Sequence, residues 1–225
     1  MNSLKVLYED NHLIVVEKPV NIPSQGDKTG DVDMLSIIKA YLKEKYNKPG
    51  DVYLGLVHRL DRPTGGVMVF AKTSKCASRL SEQVRNKEFH KQYLCIIDGK
   101  LEENKGTFKD YLYKNEKNNT SRIAKPKEKN AKEAILDYEV IKYNDEINLS
   151  VVKVNLHTGR HHQIRVQFAS RNHSLYGDQK YGARGRGKQL ALWAYSLSFR
   201  HPTTKEELTF EDYPEKIGSW KILED

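Results

Sequence analysis

One acidic side chain in the first third of the sequence stands out for the chemistry it could perform. Asp61 lies between Arg59 and Arg62, and it is followed by a Pro-Thr-Gly-Gly turn and an apolar segment, residues 67–71. Nearby cations favour the charged form of a carboxylate, so we expect this acid to stay ionised. An ionised carboxylate at the end of a strand can act as a nucleophile or as an electrostatic stabiliser. A surface turn with a local ion pair is the alternative interpretation.

A second segment, rich in histidine and arginine, could bind an anion. Thr158 and Gly159 predict a turn from a strand into a helix that runs from about residue 160 to residue 171. The first turn of a helix exposes backbone N–H groups at the positive end of its dipole. Together with Arg160, these groups would form a cradle for a phosphate.

We expect different roles for two further side chains of this predicted helix. His162 has histidine neighbours but no cysteine or acid in the same segment to complete a metal site, so we expect a structural or RNA-facing role. Arg165 lies on a partly apolar face, where an arginine is rarely left unpaired. A buried carboxylate would be its natural bidentate partner. An aliphatic stem that reaches solvent is the alternative.

Two other features could contact a nucleic acid. Tyr93 lies in a predicted strand over residues 89–98, and its ring could stack on a base if it faces a cleft. The glycine-rich basic loop at residues 183–188 could approach phosphates, although a solvated loop explains the same residues equally well.

Composition narrows the class of protein. The 225 residues carry a formal net charge of +8, and a basic surface favours a polyanionic partner such as a nucleic acid. Two cysteines cannot form a disulfide framework, and the N-terminus has no signal-peptide pattern. No apolar stretch approaches the length of a membrane span. We therefore expect a soluble cytoplasmic protein.

The predicted strands and helices that must position these residues do not alternate regularly along the chain. Residues 4–9 and 12–17 predict a strand pair, and apolar residues at helical spacing predict a helix over residues 33–46. The lysine-rich segment 102–133 predicts a hairpin with a polar loop. Many strands and few helices indicate an α+β fold with a mixed, largely antiparallel sheet.

Five motifs in this order resemble those of RluA-type pseudouridine synthases, and the resemblance covers nearly the whole chain. The motifs are YEDNHLIVVEKP at 8–19, HRLDRPTGG at 58–66, KQYL at 91–94, TGRHHQIR at 158–165 and GDQKYG at 177–182. The resemblance implies a long, curved sheet flanked by helices, with a central catalytic cleft. It also implies an RNA-modifying isomerase that needs no cofactor and no metal.

The resemblance assigns roles to single residues. Asp61 would be the catalytic aspartate, Arg165 would pair with it, and Tyr93 would lie against the target base. Ile164 would line the pocket, and Arg59 would replace the extruded nucleotide in the RNA stack. Further RNA contacts are expected from the side chains beside these residues, namely His58, Arg62, Arg160 and His162.

The motif positions also suggest how the chain is organised. Because the first motif begins close to Met1, we expect residues 1–225 to form a single catalytic domain without an N-terminal RNA-binding appendage, working as a monomer. A non-catalytic RNA-binding protein is the main alternative. A sugar hydrolase would need a second catalytic carboxylate. The nearest candidate, Asp178, is better suited to ordering the loop at 177–182.

Overall fold

The computed structural model describes residues 4–182 and 187–224, so the core of the predicted basic loop at 183–188 lies outside the described residues. The chain divides into two compact units. The first contains residues 1–90 and 194–213, and the second contains residues 91–193 and 214–225. Strands predominate and helices are few in both, which confirms the α+β class and the largely antiparallel pairing.

The central strand of the first unit, residues 65–71, is buried along its whole length. Its strands are β1 (Val6–Glu9), β2 (Leu13–Lys18), β3 (Gly55–Leu56), β4 (Gly65–Ala71), most of β10 (Leu192–Arg200) and β11 (Glu207–Glu211), and its helices are α1 (Met34–Lys45) and α2 (Ser74–Arg85). β4 lies between β2 and β10, and β1 and β11 lie on the outer sides of these neighbours. Helix α2 packs its apolar side, with Cys76 and Leu80, on the core around β4.

The second unit is an antiparallel sheet with one short helix. Its elements are β5 (His90–Asp98), β6 (Lys105–Asn115), β7 (Thr120–Ala124), β8 (Lys132–Asn144), β9 (Leu149–Leu156), α3 (Gln163–Ala169) and a 3₁₀ helix (Gly218–Leu223). The strand order is β5-β9-β8-β6-β7. The hairpin and polar loop expected over residues 102–133 are β6, β7 and the connection to β8. Val166 of α3 packs against Leu112 and Ala134 of this sheet.

The predicted start of the last helix was wrong. Helix α3 begins at Gln163, not near residue 160, because His162 has a left-handed backbone with φ of 53°. Thr158 does not cap the helix backbone. Its hydroxyl accepts the N–H of Ile135 on β8 and donates to the side chain of Gln163, at 2.8 Å each. The chain from Thr158 to His162 is therefore fastened to the sheet before the helix starts.

The helices of the described residues are short. The longest, α1 and α2, have 12 residues each. Among residues 4–182 and 187–224, none is both long and apolar enough to cross a membrane.

Candidate active site

Asp61 lies in the loop between β3 and β4, and the loop is fixed by hydrogen bonds on both sides of it. The N–H of Thr64 donates to the carbonyl of Asp61 at 3.0 Å, which closes a turn. The buried hydroxyl of Ser24 donates to the carbonyl of Leu60 at 2.8 Å and accepts its N–H at 3.2 Å. The backbone around the carboxylate is therefore tied to a second loop, residues 19–24.

A buried lysine connects these two loops. The side chain of Lys18, at the end of β2, is fully buried, and its ammonium group donates to the carbonyls of Pro19, Ile22 and Arg62 at 2.9, 2.6 and 3.1 Å. Burial lowers the pKa of Lys18 to about 7, while the negative charge of Asp61 acts in the opposite direction. Hydrogen bonds from the ammonium to three carbonyls also favour the charged form.

Lys18 was not predicted as a site residue. The signal available in the sequence was a lysine two residues after the apolar run at 13–16 and directly before Pro19. A buried lysine is rare unless it is paired or hydrogen-bonded, so that position called for an acceptor.

The charged and histidine side chains close to Asp61 in sequence differ in their exposure and in their partners. The Arg62 guanidinium forms an ion pair with Asp31, so its charge is shared with an acid other than Asp61. Arg59 is exposed, as an RNA contact requires. His58 is only 8% exposed, and its Nε2 accepts the N–H of Val69 on β4 at 3.1 Å. Its ring thus anchors the loop to the core strand.

Glycine is required where the loop enters β4. Gly66 has a φ of 119°, in the range that residues with a side chain rarely adopt. A Cβ atom at this position would also overlap the backbone of Ala194 on β10. The close approach of two backbones therefore fixes the exit of the Asp61 loop.

In the second unit, Arg165 forms a buried bidentate ion pair. Its Nε and Nη2 donate to the two carboxylate oxygens of Asp178 at 2.7 Å each, and both residues are less than 5% exposed. Oδ1 of Asp178 also accepts the N–H groups of Lys180 and Tyr181, which confirms that this acid orders the loop at 177–182. The buried carboxylate expected for Arg165 is present as Asp178. The pairing of Arg165 with Asp61 stays a prediction.

Tyr181 contacts a face of the same guanidinium, whereas Asp178 binds its N–H edge. The Arg165 guanidinium lies over the Tyr181 ring, 5.1 Å from its centroid. The Tyr181 hydroxyl accepts the N–H of Ser121 on β7 and contacts Nδ1 of His162, at 2.7 Å each. Burial, followed by the charge of Arg165, lowers the pKa of His162 to about 2, so its ring is neutral and Nδ1 can accept the hydroxyl proton. Tyr181 thus joins β7, the start of α3 and Arg165.

The other histidine and arginine of this segment are also engaged. His161 stacks on His162 with ring centroids 3.7 Å apart, and burial lowers the pKa of His161 to about 4. Nε of Arg160 donates to the carbonyl of Glu133 at 2.8 Å, so this side chain is already held against β8. Among the described residues, no group of three or more His, Cys, Asp or Glu could hold a metal ion.

Tyr93 and Ile164 both lie in the second unit. Tyr93 is 8% exposed on β5, opposite Val154 of β9, and Ile164 is 4% exposed at the start of α3. Burial lowers the pKa of Lys91, two residues before Tyr93, to about 8. The roles of Tyr93 and Ile164 at the target base stay predictions.

Residues 12–170 match the family described as RNA pseudouridylate synthase. A protein of Aquifex aeolicus named as an uncharacterized RNA pseudouridine synthase is 32% identical and aligns with 96% of this chain and 71% of its own length. Ribosomal large subunit pseudouridine synthase C of Haemophilus influenzae is 32% identical over 92% of this chain and 64% of its own length. The tRNA pseudouridine synthase C of the same organism is 30% identical over 92% of this chain and 91% of its own length.

Solved structures show the same fold. Human RNA pseudouridylate synthase domain containing 4 has a TM-score of 0.78, with 22% identity over 94% of this chain and 89% of that chain. Human RNA pseudouridylate synthase domain containing 1 also has a TM-score of 0.78, over 97% of this chain and 86% of that chain. The chain therefore belongs to the RNA pseudouridylate synthase family, and within it to the RluA type that its motifs predict.

Proposed function

We propose that this enzyme converts specific uridines of ribosomal or transfer RNA to pseudouridine, with Asp61 as the catalytic carboxylate. The choice of RNA is supported by the relatives, one named for the large ribosomal subunit and one for tRNA. The observation that carries the assignment of Asp61 is its loop, which hydrogen bonds from Ser24 and from the buried Lys18 hold on both sides of the carboxylate.

The reaction breaks the bond between uracil N1 and the sugar and forms a bond from uracil C5 to the same sugar carbon. The hydrogen at C5 leaves as a proton, N1 takes up a proton, and no electrons are gained or lost, so substrate and product are isomers. An ionised Asp61 can attack the sugar or the base, or it can assist elimination. The target base must first leave its stack, which costs a few kcal/mol unless it lies in a loop.

The other site residues have proposed roles on the same nucleotide. Arg165 would orient Asp61 and the substrate, and the contacts to Asp178 and Tyr181 support this role because they fix the plane of its guanidinium. Tyr93 and Ile164 would contact the target base, and the exposed Arg59 would take its place in the stack. His58, Arg62, Arg160 and His162 would support RNA contacts.

The whole chain would work as one catalytic domain, a monomer in the cytoplasm that uses neither metal nor cofactor. The family match supports a single domain because it runs through residues of both compact units. A hydrolase with Asp178 as a second catalytic acid is disfavoured, since both oxygens of that carboxylate bind the Arg165 guanidinium.

Pseudouridine mapping in total RNA, from cells with and without the gene, tests this function. We expect one or a few positions to lose the modification and to regain it with wild-type protein but not with Asp61→Asn. An identical map in both strains, with the protein shown to be expressed in the wild type, would refute the proposal.

A further inference from the structure

Half of the net charge of the chain is concentrated in one short segment. Residues 120–132, here called the basic arm, comprise β7, the connection to β8 and the first residue of β8. The arm carries four lysines and one arginine against a single carboxylate, for a net charge of +4 out of +8 for the whole chain. The lysines are Lys125, Lys127, Lys129 and Lys132.

The single carboxylate of the arm does not neutralise these lysines through ion pairs. Glu128 forms a two-point ion pair with Arg122 of β7, and the Arg122 guanidinium lies over the Tyr113 ring, 4.8 Å from its centroid. All four lysines are exposed, and none forms an ion pair with any residue in the described parts of the chain. The arm thus presents a cluster of uncompensated ammonium groups.

The backbone of the arm is held in place at several points. The N–H groups of Glu128 and Ala131 donate to the carbonyls of Lys125 and Glu128, at 3.0 Å each, so the connection folds into consecutive turns. At the other end, the Ser121 N–H donates to the Tyr181 hydroxyl. A surface whose backbone is already ordered loses less conformational entropy when it binds.

We propose that the basic arm binds the phosphate backbone of the substrate RNA and sets the affinity of the enzyme, without taking part in the chemical step. The inference rests on the proposed function, which makes RNA the partner. Lysine suits this task because its ammonium is a compact point charge for phosphate, whereas the arginine fork of the arm is already used by Glu128. Contacts of this kind fix position and carry no sequence information.

The test compares two variants with the same change in net charge. The arm variant replaces Lys125, Lys127, Lys129 and Lys132 by glutamine. The control variant replaces four exposed lysines elsewhere that also form no ion pair among the described residues, namely Lys43, Lys75, Lys205 and Lys216. Binding of a fluorescein-labelled 20-nucleotide single-stranded RNA of mixed sequence is measured by anisotropy from 50 to 300 mM salt.

The expected result is a change in salt dependence that is specific to the arm. The plot of log K against log salt has a negative slope, and each lost phosphate contact makes it shallower by about 0.7 for single strands. The slope of the arm variant should therefore be shallower than that of wild type by about 3. The control should keep most of the wild-type slope, because its four lysines lie outside the arm. The single-turnover rate at saturating enzyme should stay within about twofold of wild type, because the chemical step is untouched.

Three outcomes would overturn the proposal. They are an unchanged slope in the arm variant, an equal loss in the control, and a large fall of the saturated rate in the arm variant alone. Binding of wild-type protein to phosphatidylglycerol vesicles that is lost in the arm variant, with RNA binding unchanged, would assign the arm to membranes instead. The slope is measured without turnover, so its outcome is separate from that of the proposed catalytic activity.

Discussion

Replacing Asp178 by asparagine isolates the electrostatic part of the buried pair with Arg165. The amide keeps the shape and one oxygen of the carboxylate, so no cavity forms. It loses the negative charge and one of the acceptors that hold Nε and Nη2 at 2.7 Å. Both partners are nearly inaccessible to solvent, at 5% and 0% of side-chain surface, so water cannot replace the lost contact.

The size of the effect follows from this burial. Removing one partner of a buried ion pair destabilises a protein by about 3–5 kcal/mol, because it leaves a charge poorly solvated. Loss of one acceptor for the N–H groups of Lys180 and Tyr181 adds to the disorder of the loop at 177–182. We therefore expect Asp178→Asn to lower the free energy of unfolding by about 3–5 kcal/mol. The single-turnover rate should fall with it, since the Arg165 guanidinium loses its fixed orientation.

Urea unfolding followed by circular dichroism measures the first effect, and release of tritium from C5-labelled uridine in RNA measures the second. Asp137→Asn is the matched control, because Asp137 pairs with His157 at the surface, where such pairs contribute at most about 1 kcal/mol. A loss of stability below about 1 kcal/mol in Asp178→Asn would show that the buried pair does not hold Arg165 in the way the geometry implies.

Three further changes test the surroundings of the site. Lys18→Met leaves three carbonyls without their charged donor and should lower stability by about 3 kcal/mol at pH 7. In wild type, the unfolded state keeps a proton that the folded state loses above pH 7, since burial lowers the pKa of Lys18 to about 7 from 10.5. The free energy of unfolding of wild type should therefore rise relative to that of Lys18→Met between pH 7 and pH 10, by up to about 1.4 kcal/mol per pH unit. The same dependence of the free energy of unfolding on pH in both proteins would refute this. Tyr181→Phe keeps the ring under Arg165 but removes the hydroxyl, so the Ser121 amide should exchange with deuterium about fivefold faster or more; unchanged exchange would contradict the link. Gly66→Ala should destabilise the fold by at least about 1–3 kcal/mol in thermal melts, from backbone strain alone, whereas Gly50→Ala, with no atom near its Cβ position, should not.

Much of the fold was readable from local patterns. Apolar spacing predicted a helix over residues 33–46, and α1 spans Met34–Lys45. The strand pair expected over 4–9 and 12–17 is β1 and β2. The start of α3 was not readable, because the left-handed backbone of His162 depends on contacts with β8 and Tyr181 that are distant in sequence.

The sequence predicts candidate catalytic residues, but it does not predict the residues that hold them in place. Asp61 stands out because Arg59 and Arg62 flank it, and Arg165 stands out because an arginine on a partly apolar helix face needs a partner. Lys18 was missed because one of its acceptors, the carbonyl of Arg62, lies 44 residues away. Tyr181 was missed for the same reason, since Ser121 is 60 residues distant. Only the folded chain brings such donors and acceptors together.

The central claim is that the carboxylate of Asp61 carries the reaction. The most direct measurement compares purified wild type and Asp61→Asn on an RNA that contains the mapped uridine, under single-turnover conditions with deamidation excluded by mass spectrometry. The amide keeps the shape of the side chain but loses the nucleophile, so isomerisation should be abolished while RNA affinity stays within about twofold of wild type. Turnover by the Asn variant at a rate near that of wild type would contradict the account.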